Sequence, residues 1–223
     1  MNDGILDKEY INKRKKGTYF HRLKRRAFEV CYIIKEHYVT KSNISLLDLG
    51  CAEGALFDLT KLFLPDLSID YTGIEYSISC LINSQDDKKA FINSDINKLP
   101  LKKGVRFDVI VMTAVLEHIS RPKILLSKLS DHLNENGIII ITMPDPFFEK
   151  IASFLGNIEE SESGHHNPIN RNELKNIIKD IDLYMDKFKK FMITPWGFIF
   201  ENKIERIYPD ILLLNQLFVL KKK

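Results

Sequence analysis

The stretch that most constrains this chain runs from Ser45 to Phe57 and reads SLLDLGCAEGALF. An apolar run that carries one carboxylate, Asp48, passes into a turn with the small residues Gly50, Ala52 and Gly54, and a helical pattern follows. Small residues let a ligand approach the main chain, and the first turn of a helix presents free N–H groups. The pattern therefore predicts a strand, a tight ligand-binding turn and a helix.

The spacing of the small residues separates two kinds of nucleotide site. A dinucleotide-binding turn has small residues at its first, third and sixth positions, whereas this turn has them at the first, third and fifth. That spacing, and the lack of a recognisable second substrate domain, disfavour a nicotinamide-dependent oxidoreductase. The turn resembles motif I of the class I S-adenosylmethionine-dependent methyltransferases, in which an acidic residue precedes GxGxG, with Ala52 replacing the middle glycine.

This resemblance implies that the cofactor is S-adenosyl-L-methionine and that the cofactor product is S-adenosyl-L-homocysteine. It also implies that the cofactor binds to the turn and to the residues that end the next three strands. By position these residues are Asp48, Gly50, Cys51, Ala52, Gly54, Glu75, Tyr76, Asp95, Ile96, Thr113 and Ala114.

Two carboxylates of that set have separate expected roles. Glu75 lies 25 residues after Gly50, near the spacing at which an acidic side chain accepts hydrogen bonds from a nucleotide ribose. The alternative is an acid that faces solvent at a strand end. The resemblance implies that Asp95 binds the adenine amine while Ile96 packs on the ring, and the alternative for Asp95 is a turn cap.

The order of the elements predicts the fold class. Phe107–Thr113 and Gly137–Met143 are nearly continuous apolar runs, which are typical of strands buried on both faces. We predict strands at 45–49, 71–75, 90–93, 107–113, 137–143, 188–194 and 217–221, and helices at 19–38, 55–63, 77–84, 122–133 and 170–182. This alternation predicts an α/β fold with helices on both faces of a parallel sheet. The resemblance implies a Rossmann-like, seven-stranded, doubly wound sheet whose last strand is antiparallel.

Composition indicates one domain with a charged beginning. A chain of 223 residues with 44% hydrophobic content is long enough for one sizeable core. We expect a basic flexible arm at 1–18 and a single domain at 19–223, with a lid insertion at about 144–169. Residues 1–26 hold nine Lys or Arg and three Asp or Glu, a balance of +6. Such a run contacts phosphates of nucleic acid, lipid or a nucleotide sugar, or is simply a solvated face.

Histidines are the candidates for catalysis on the acceptor side. The segment GHHNPINRNEL is similar to a stretch that precedes the penultimate helix in many small-molecule and cell-surface-glycan methyltransferases. That likeness makes His165 a candidate general base or polar hook for the acceptor. Asn170 and Glu173 form a predicted helix-capping pair. His118 lies in a segment that resembles the "vleHi" stretch of ubiquinone and menaquinone methyltransferases, and is either a substrate contact or a structural histidine.

The remaining chemistry-bearing residues point to no metal and no disulfide. His165 and His166 are adjacent, so their side chains point apart, and no carboxylate or cysteine joins them at ligand spacing. The three cysteines are scattered, without a CxxC pair, which is typical of a reducing compartment. The longest apolar stretch, Ile211 to Leu220, is too short to span a bilayer, and the first residues lack an apolar signal segment. We expect a cytoplasmic protein.

The function that these patterns favour is methyl transfer from S-adenosyl-L-methionine to a small molecule, for example a glycan, lipid-linked or quinone precursor. One alternative is an RNA methyltransferase that uses the basic arm, which predicts binding to RNA with steep salt dependence. Another is a cofactor-binding regulator without turnover. The sequence leaves the acceptor and the oligomeric state open.

Overall fold

The computed structural model describes residues 15–82, 88–147, 169–194, 197, 201–207 and 213–223. In this part of the chain seven strands form one sheet. The strands are β1 (Asn43–Leu49), β2 (Ser68–Glu75), β3 (Lys89–Asn93), β4 (Phe107–Thr113), β5 (Leu133–Pro144), β6 (Tyr184–Phe191) and β7 (Asn215–Lys221). The α-helices are α1 (Gly17–His37), α2 (Ala55–Phe63), α3 (Ile78–Leu81), α4 (Pro122–Asp131), α5 (Arg171–Ile178) and α6 (Glu201–Ile207), and short 3-10 helices span Ile96–Lys98 and Leu116–His118.

The strand order is β3-β2-β1-β4-β5-β7-β6. Strands β1 to β5 pair in parallel, whereas β7 pairs antiparallel with both β5 and β6. Strand β6 therefore runs in the same direction as β1 to β5. The edge where these six strands end is called the carboxyl edge below. The predicted doubly wound sheet with one antiparallel strand is confirmed.

Alternate strand residues build a separate core on each face of the sheet. On one face Ile110 and Ile139 pack with the apolar residues of α4 and α5. On the other face Val109 and Ile138 pack with α1 and α2. Because successive side chains of a strand point to opposite faces, the continuous apolar runs of β4 and β5 supply both cores at once.

The second half of helix α1 crosses the sheet, from the carboxyl edge to the opposite edge. In the middle of the helix, the guanidinium of Arg26 donates to Oδ1 of Asn215, the first residue of β7 at the carboxyl edge, at 2.8 Å. At the other edge, His37 Nε2 lies 2.9 Å from the carbonyl oxygen of Asn136. The first half of α1 therefore lies on the carboxyl-edge side of the molecule.

A buried cluster of ion pairs joins α1 to α6. Arg25 donates to Glu29 at 2.7 Å and to Glu205 at 2.6 Å, and all three side chains are buried. The guanidinium Nε lies 3.8 Å from Glu201 Oε2. Lys189 of β6 adds an ion pair with Glu29 at 2.8 Å.

The same glutamates hold the chain that leaves β6. Glu205 accepts a hydrogen bond from the backbone N–H of Met192 at 2.6 Å. Glu201 accepts from the N–H groups of Ile193 and Thr194, at 2.8 and 3.1 Å. Helix α6 is thus fixed to the carboxyl edge beside β6.

Several predicted boundaries differ from the structure, β6 most of all. The helix at 55–63 and the strand at 107–113 are found with those bounds. Strand β6 was predicted at 188–194 but occupies Tyr184–Phe191, because Met192 has a φ of 68°, which ends the strand. Helix α6 lies between the strands predicted at 188–194 and 217–221, where no helix was predicted. Most of the predicted arm and lid lies outside the described residues.

The described helices include none that is both long and apolar enough to cross a membrane.

We expect Arg25→Ala to lower the free energy of unfolding by about 3 kcal/mol, because it leaves buried carboxylates without their cation. Urea unfolding followed by circular dichroism measures the effect. Lys35→Ala is the matched control, since Lys35 is an exposed cation of the same helix. Equal stability of the two variants would show that the cluster does not hold α1 in place.

Candidate active site

In the turn between β1 and α2, every second residue has a left-handed backbone conformation. Gly50, Ala52 and Gly54 have φ angles of 70°, 47° and 75°. Glycine adopts such angles freely, whereas an alanine there is strained. The three small residues of the predicted motif are therefore the positions at which the backbone reverses.

Glu75 holds this turn in shape. Its Oε2 accepts a hydrogen bond from the backbone N–H of Ala52, and its Oε1 accepts from the N–H of Ser77, both at 2.9 Å. The side chain is only 6% exposed. Each carboxylate oxygen has a second lone pair, so Glu75 can accept further hydrogen bonds from a ligand.

Glycine at position 50 is required by its neighbours. A Cβ added there would lie 2.6 Å from Val115 Cγ2 and 3.7 Å from Ile96 Cδ1. Gly50 thus meets the segments that follow β3 and β4. At the far end of the turn, a Cβ on Gly54 would lie 2.9 Å from the Phe91 ring. The structure brings together the turn, Glu75 and Ile96, as the sequence predicted for one site.

Asp48 and Cys51 lie beneath the turn. Asp48 is 1% exposed, and its Oδ2 accepts a hydrogen bond from the Tyr71 hydroxyl at 2.8 Å. Burial raises the pKa of the Cys51 thiol, and the carboxylates of Asp48 and Glu75 raise it further. Cys51 therefore stays protonated near neutral pH, so its position does not provide a nucleophile.

The residues after β2 and β3 lie at the rim of the site. Asp95 caps the 3-10 helix that begins at Ile96, and its Oδ1 accepts from the N–H of Asn97 at 2.9 Å. Asp95 is only half-buried, so the turn-capping alternative and a ligand contact are compatible. Ile96 is half-buried and Tyr76 is 60% exposed.

Thr113 and Ala114 end β4 beside Thr142 of β5. Thr113 pairs with Thr142 in the sheet, and the N–H of Ala114 donates to the Thr142 carbonyl at 2.7 Å. Ala114 is a second left-handed alanine, with a φ of 56°. The Thr142 side chain is fully buried, and within the described part of the chain its hydroxyl has no hydrogen-bond partner.

The structure describes only one of the two predicted catalytic histidines. His118 is exposed and lies in the short helix after β4, at the carboxyl edge. His165 and its neighbour His166 lie outside the described residues.

The sequence analysis missed His21. Its imidazole lies against Gly197, and its Nε2 lies 3.9 Å from Glu201 Oε2. Burial lowers the pKa of His21, the carboxylate of Glu201 raises it, and Arg25 and Lys24 lower it, so the net shift is downward. His21 is therefore mainly neutral at pH 7. Its position within a basic helical pattern gave no signal of these contacts.

We expect Ala52→Gly to leave stability unchanged or to raise it by up to about 1 kcal/mol, because glycine relieves the left-handed strain. The same substitution at Ala55, in the first turn of α2, should lower stability, because glycine is a poor helix former. Thermal unfolding of both variants measures the difference. A loss of stability in Ala52→Gly would contradict the strained backbone at this position.

Comparisons with known proteins identify the family of this chain. A family model described as "Methyltransferase domain" matches residues 17–187. The malonyl-[acyl-carrier protein] O-methyltransferase of Bacillus cereus is 28% identical over 167 residues, which cover 70% of this chain and 61% of that protein. The ubiquinone biosynthesis O-methyltransferase of Rickettsia bellii is 25% identical over 159 residues, 68% of this chain and 62% of that protein. The chain thus spans about three fifths of the length of these relatives.

Solved structures share the fold. The plantazolicin methyltransferase BpumL, in complex with SAH, superposes with a TM-score of 0.66 over 97% of this chain and 91% of that chain, at 20% identity. A putative methyltransferase from Haloferax volcanii, in complex with its activator Trm112, gives a TM-score of 0.61 at 14% identity, over 85% of this chain and 87% of that chain. The family model covers more than half of the chain, so this chain belongs to the methyltransferase-domain family.

Proposed function

We propose that this chain transfers the methyl group of S-adenosyl-L-methionine to an oxygen atom of a small-molecule acceptor. The observation that supports the cofactor is the buried Glu75 carboxylate, which holds the glycine-containing turn and keeps lone pairs for a ligand. The names of the two O-methyltransferase relatives support an oxygen acceptor.

The residues at the carboxyl edge fit the cofactor. Gly50 has no Cβ, so the segments that carry Val115 and Ile96 lie directly against the main chain of the turn. Glu75 would hold the ribose hydroxyls, and Asp95, Ile96 and the exposed Tyr76 would hold the adenine. The turn, with Thr113 and Ala114, would hold the methionine end.

When bound, the cofactor supplies a methyl group that is already activated by the sulfonium charge. The chain's own task is then to align the acceptor oxygen and to exclude water, which is the contribution that effective molarity measures. Covalent catalysis by Cys51 is not part of the proposal, because its thiol stays protonated.

The domain organisation belongs to this proposal as well. We assign a single catalytic domain at 19–223, a basic arm at 1–18 and a lid at about 144–169. His165 of the lid is a predicted polar hook or base for the acceptor, and His118 is the second predicted contact. The cytoplasm is the proposed location.

A calorimetric titration of the purified chain with S-adenosyl-L-homocysteine tests the cofactor assignment, with NAD as the control ligand. We expect micromolar affinity for the first ligand and no binding of NAD. Binding of NAD alone, or of neither ligand, would contradict the proposed function.

We expect Glu75→Ala to lower the affinity for S-adenosyl-L-homocysteine on the order of tenfold, because a buried charged acceptor is lost. Asp58→Ala is the matched control, since Asp58 is a carboxylate on the solvent-facing side of α2. Circular dichroism verifies that both variants are folded. An unchanged affinity in folded Glu75→Ala would remove Glu75 from the site.

A further inference from the structure

A second polar site lies at the carboxyl edge, on the β6 side of the sheet. The cofactor residues belong to β1, β2, β3 and β4, and the strand order then continues through β5 and β7 to β6. His21 at the start of α1 and Glu201 at the start of α6 meet beside the end of β6. A ligand that extends from the cofactor residues past both β5 and β7 reaches this pair.

Three polar atoms converge in this site without a hydrogen bond between them. Glu201 Oε2 lies 3.9 Å from His21 Nε2 and 3.8 Å from Arg25 Nε. Within the described residues, neither nitrogen has a hydrogen-bond partner, although both are buried. Arg25 is 9% exposed. Orphaned buried donors are rare in folded proteins and mark places where a ligand or water completes the structure.

A third orphaned group lies between this pair and the cofactor residues. Thr142 stands at the carboxyl end of β5, on the same face as Ile138 and Ile140, which pack with α1. Its buried hydroxyl finds no partner in the described part of the chain. The Thr142 hydroxyl and the His21–Glu201 pair therefore lie on the same face of the sheet, the face covered by α1, along the carboxyl edge.

The charge of the buried cluster is unbalanced. Its three carboxylates, from Glu29, Glu201 and Glu205, are 2 to 5% exposed. Among the described residues, their ion-pair partners are the cations Arg25 and Lys189 and the imidazole of His21. Of these three partners, only the imidazole is of a type that changes its charge near neutral pH. With His21 neutral, the cluster carries one net negative charge, and a proton on His21 brings it to zero.

We propose that His21, which lies next to Glu201, accepts the proton of a phenolic hydroxyl as that hydroxyl is methylated. This inference deepens the proposed function and rests on it. The carboxylate near Nε2 favours the tautomer that carries its proton there, so the lone pair lies on Nδ1. A carboxylate on the far side of the imidazole is the usual arrangement around a catalytic histidine base.

The step balances in atoms and charge. The acceptor O–H bond breaks and its proton moves to His21 Nδ1, while the oxygen forms a bond to the methyl carbon. The carbon–sulfur bond of the sulfonium breaks, and its electron pair stays on sulfur as a neutral thioether. The positive charge thus passes from the sulfonium to His21, next to the carboxylate of Glu201. The proton is then lost to solvent.

The acidity of the acceptor argues against other oxygen acceptors. An acceptor carboxylate is already ionised near neutral pH and needs no base, so His21 would have no role with it. An aliphatic alcohol is far more weakly acidic than a phenol, whose pKa is about 10 in tyrosine, so a neutral imidazole deprotonates it less readily. A phenol is therefore the acceptor that suits this base.

The test uses the full chain with radiolabelled methyl donor and two classes of probe. Catechol and 4-tert-butylcatechol are the phenols, and malonyl-coenzyme A is the carboxylate. We expect methylation of a phenol with a kcat that rises with pH to a plateau. The midpoint of that rise should coincide with the pKa of His21 measured by imidazole NMR, which we expect below the usual value of 6.5.

Three variants separate this role from a structural one. His21→Gln should lower kcat about 100-fold or more and abolish the pH-dependent rise, with unchanged affinity for S-adenosyl-L-homocysteine. Glu201→Gln removes the carboxylate that raises the pKa of His21, so the NMR pKa and the kinetic midpoint should both move to lower pH. The remaining charged neighbours, Arg25 and Lys24, are unchanged in that variant. His37→Gln, at the opposite edge of the sheet, is the control and should behave as the wild type.

The outcomes are distinguishable from failure of the proposed function. Methylation of malonyl-coenzyme A but not of the phenols overturns the inference, and so does a kinetic midpoint that does not follow the NMR pKa. Binding of S-adenosyl-L-homocysteine without methylation of either phenol also overturns it, while the cofactor assignment stands. No binding of that ligand removes the proposed function first and the inference with it.

Discussion

The arrangement at the carboxyl edge depends on the hydrogen bonds of the Glu75 carboxylate. One oxygen accepts from the N–H of Ala52 and the other from the N–H of Ser77, so a single side chain fixes the turn after β1 and the start of α3. A left-handed alanine costs about 1 kcal/mol, and a charge-assisted hydrogen bond offsets a strain of that size. The carboxylate is held in place by the protein alone, so little ordering remains to be done when a ligand binds.

The two halves of the carboxyl edge are held by different forces. On the side of the turn after β1, the contacts are the hydrogen bonds of the Glu75 carboxylate and the apolar side chains of Val115 and Ile96. On the β6 side, ion pairs centred on Arg25 join α1 to α6. Buried ion pairs depend on accurate geometry, because their desolvation must be balanced by hydrogen bonds.

The turn after β1 and the strand that ends at Glu75 could be predicted from the sequence, because their signals are local. Gly50 and Gly54 stand within one turn, and Glu75 ends the next strand. The strand at 107–113 was found with the predicted bounds, because a strand buried on both faces has an unbroken apolar run.

The β6 half could not be predicted, because its contacts join residues far apart in the chain. Strand β6 is rich in lysines, and two of these lysines form ion pairs with glutamates of α1. The strand therefore lacks the regular alternation of apolar and polar residues by which a strand is recognised in a sequence. Likewise, in the sequence His21 is one polar residue within a basic helix. Its contacts with Glu201 and Gly197 form only in the folded protein. Only the tertiary structure distinguishes such residues from a solvated face.

The crossing of α1 from one sheet edge to the other has a consequence for how such a protein diverges. The second half of α1 packs on the sheet through apolar residues such as Ile34, while its first half carries the charges that face α6. Substitutions before Arg25 can therefore change the contacts between α1 and α6 without disturbing β1, its turn or Glu75. Under the proposed function, a lineage could exchange its acceptor through changes in the first half of α1 and in α6, and retain the same cofactor site.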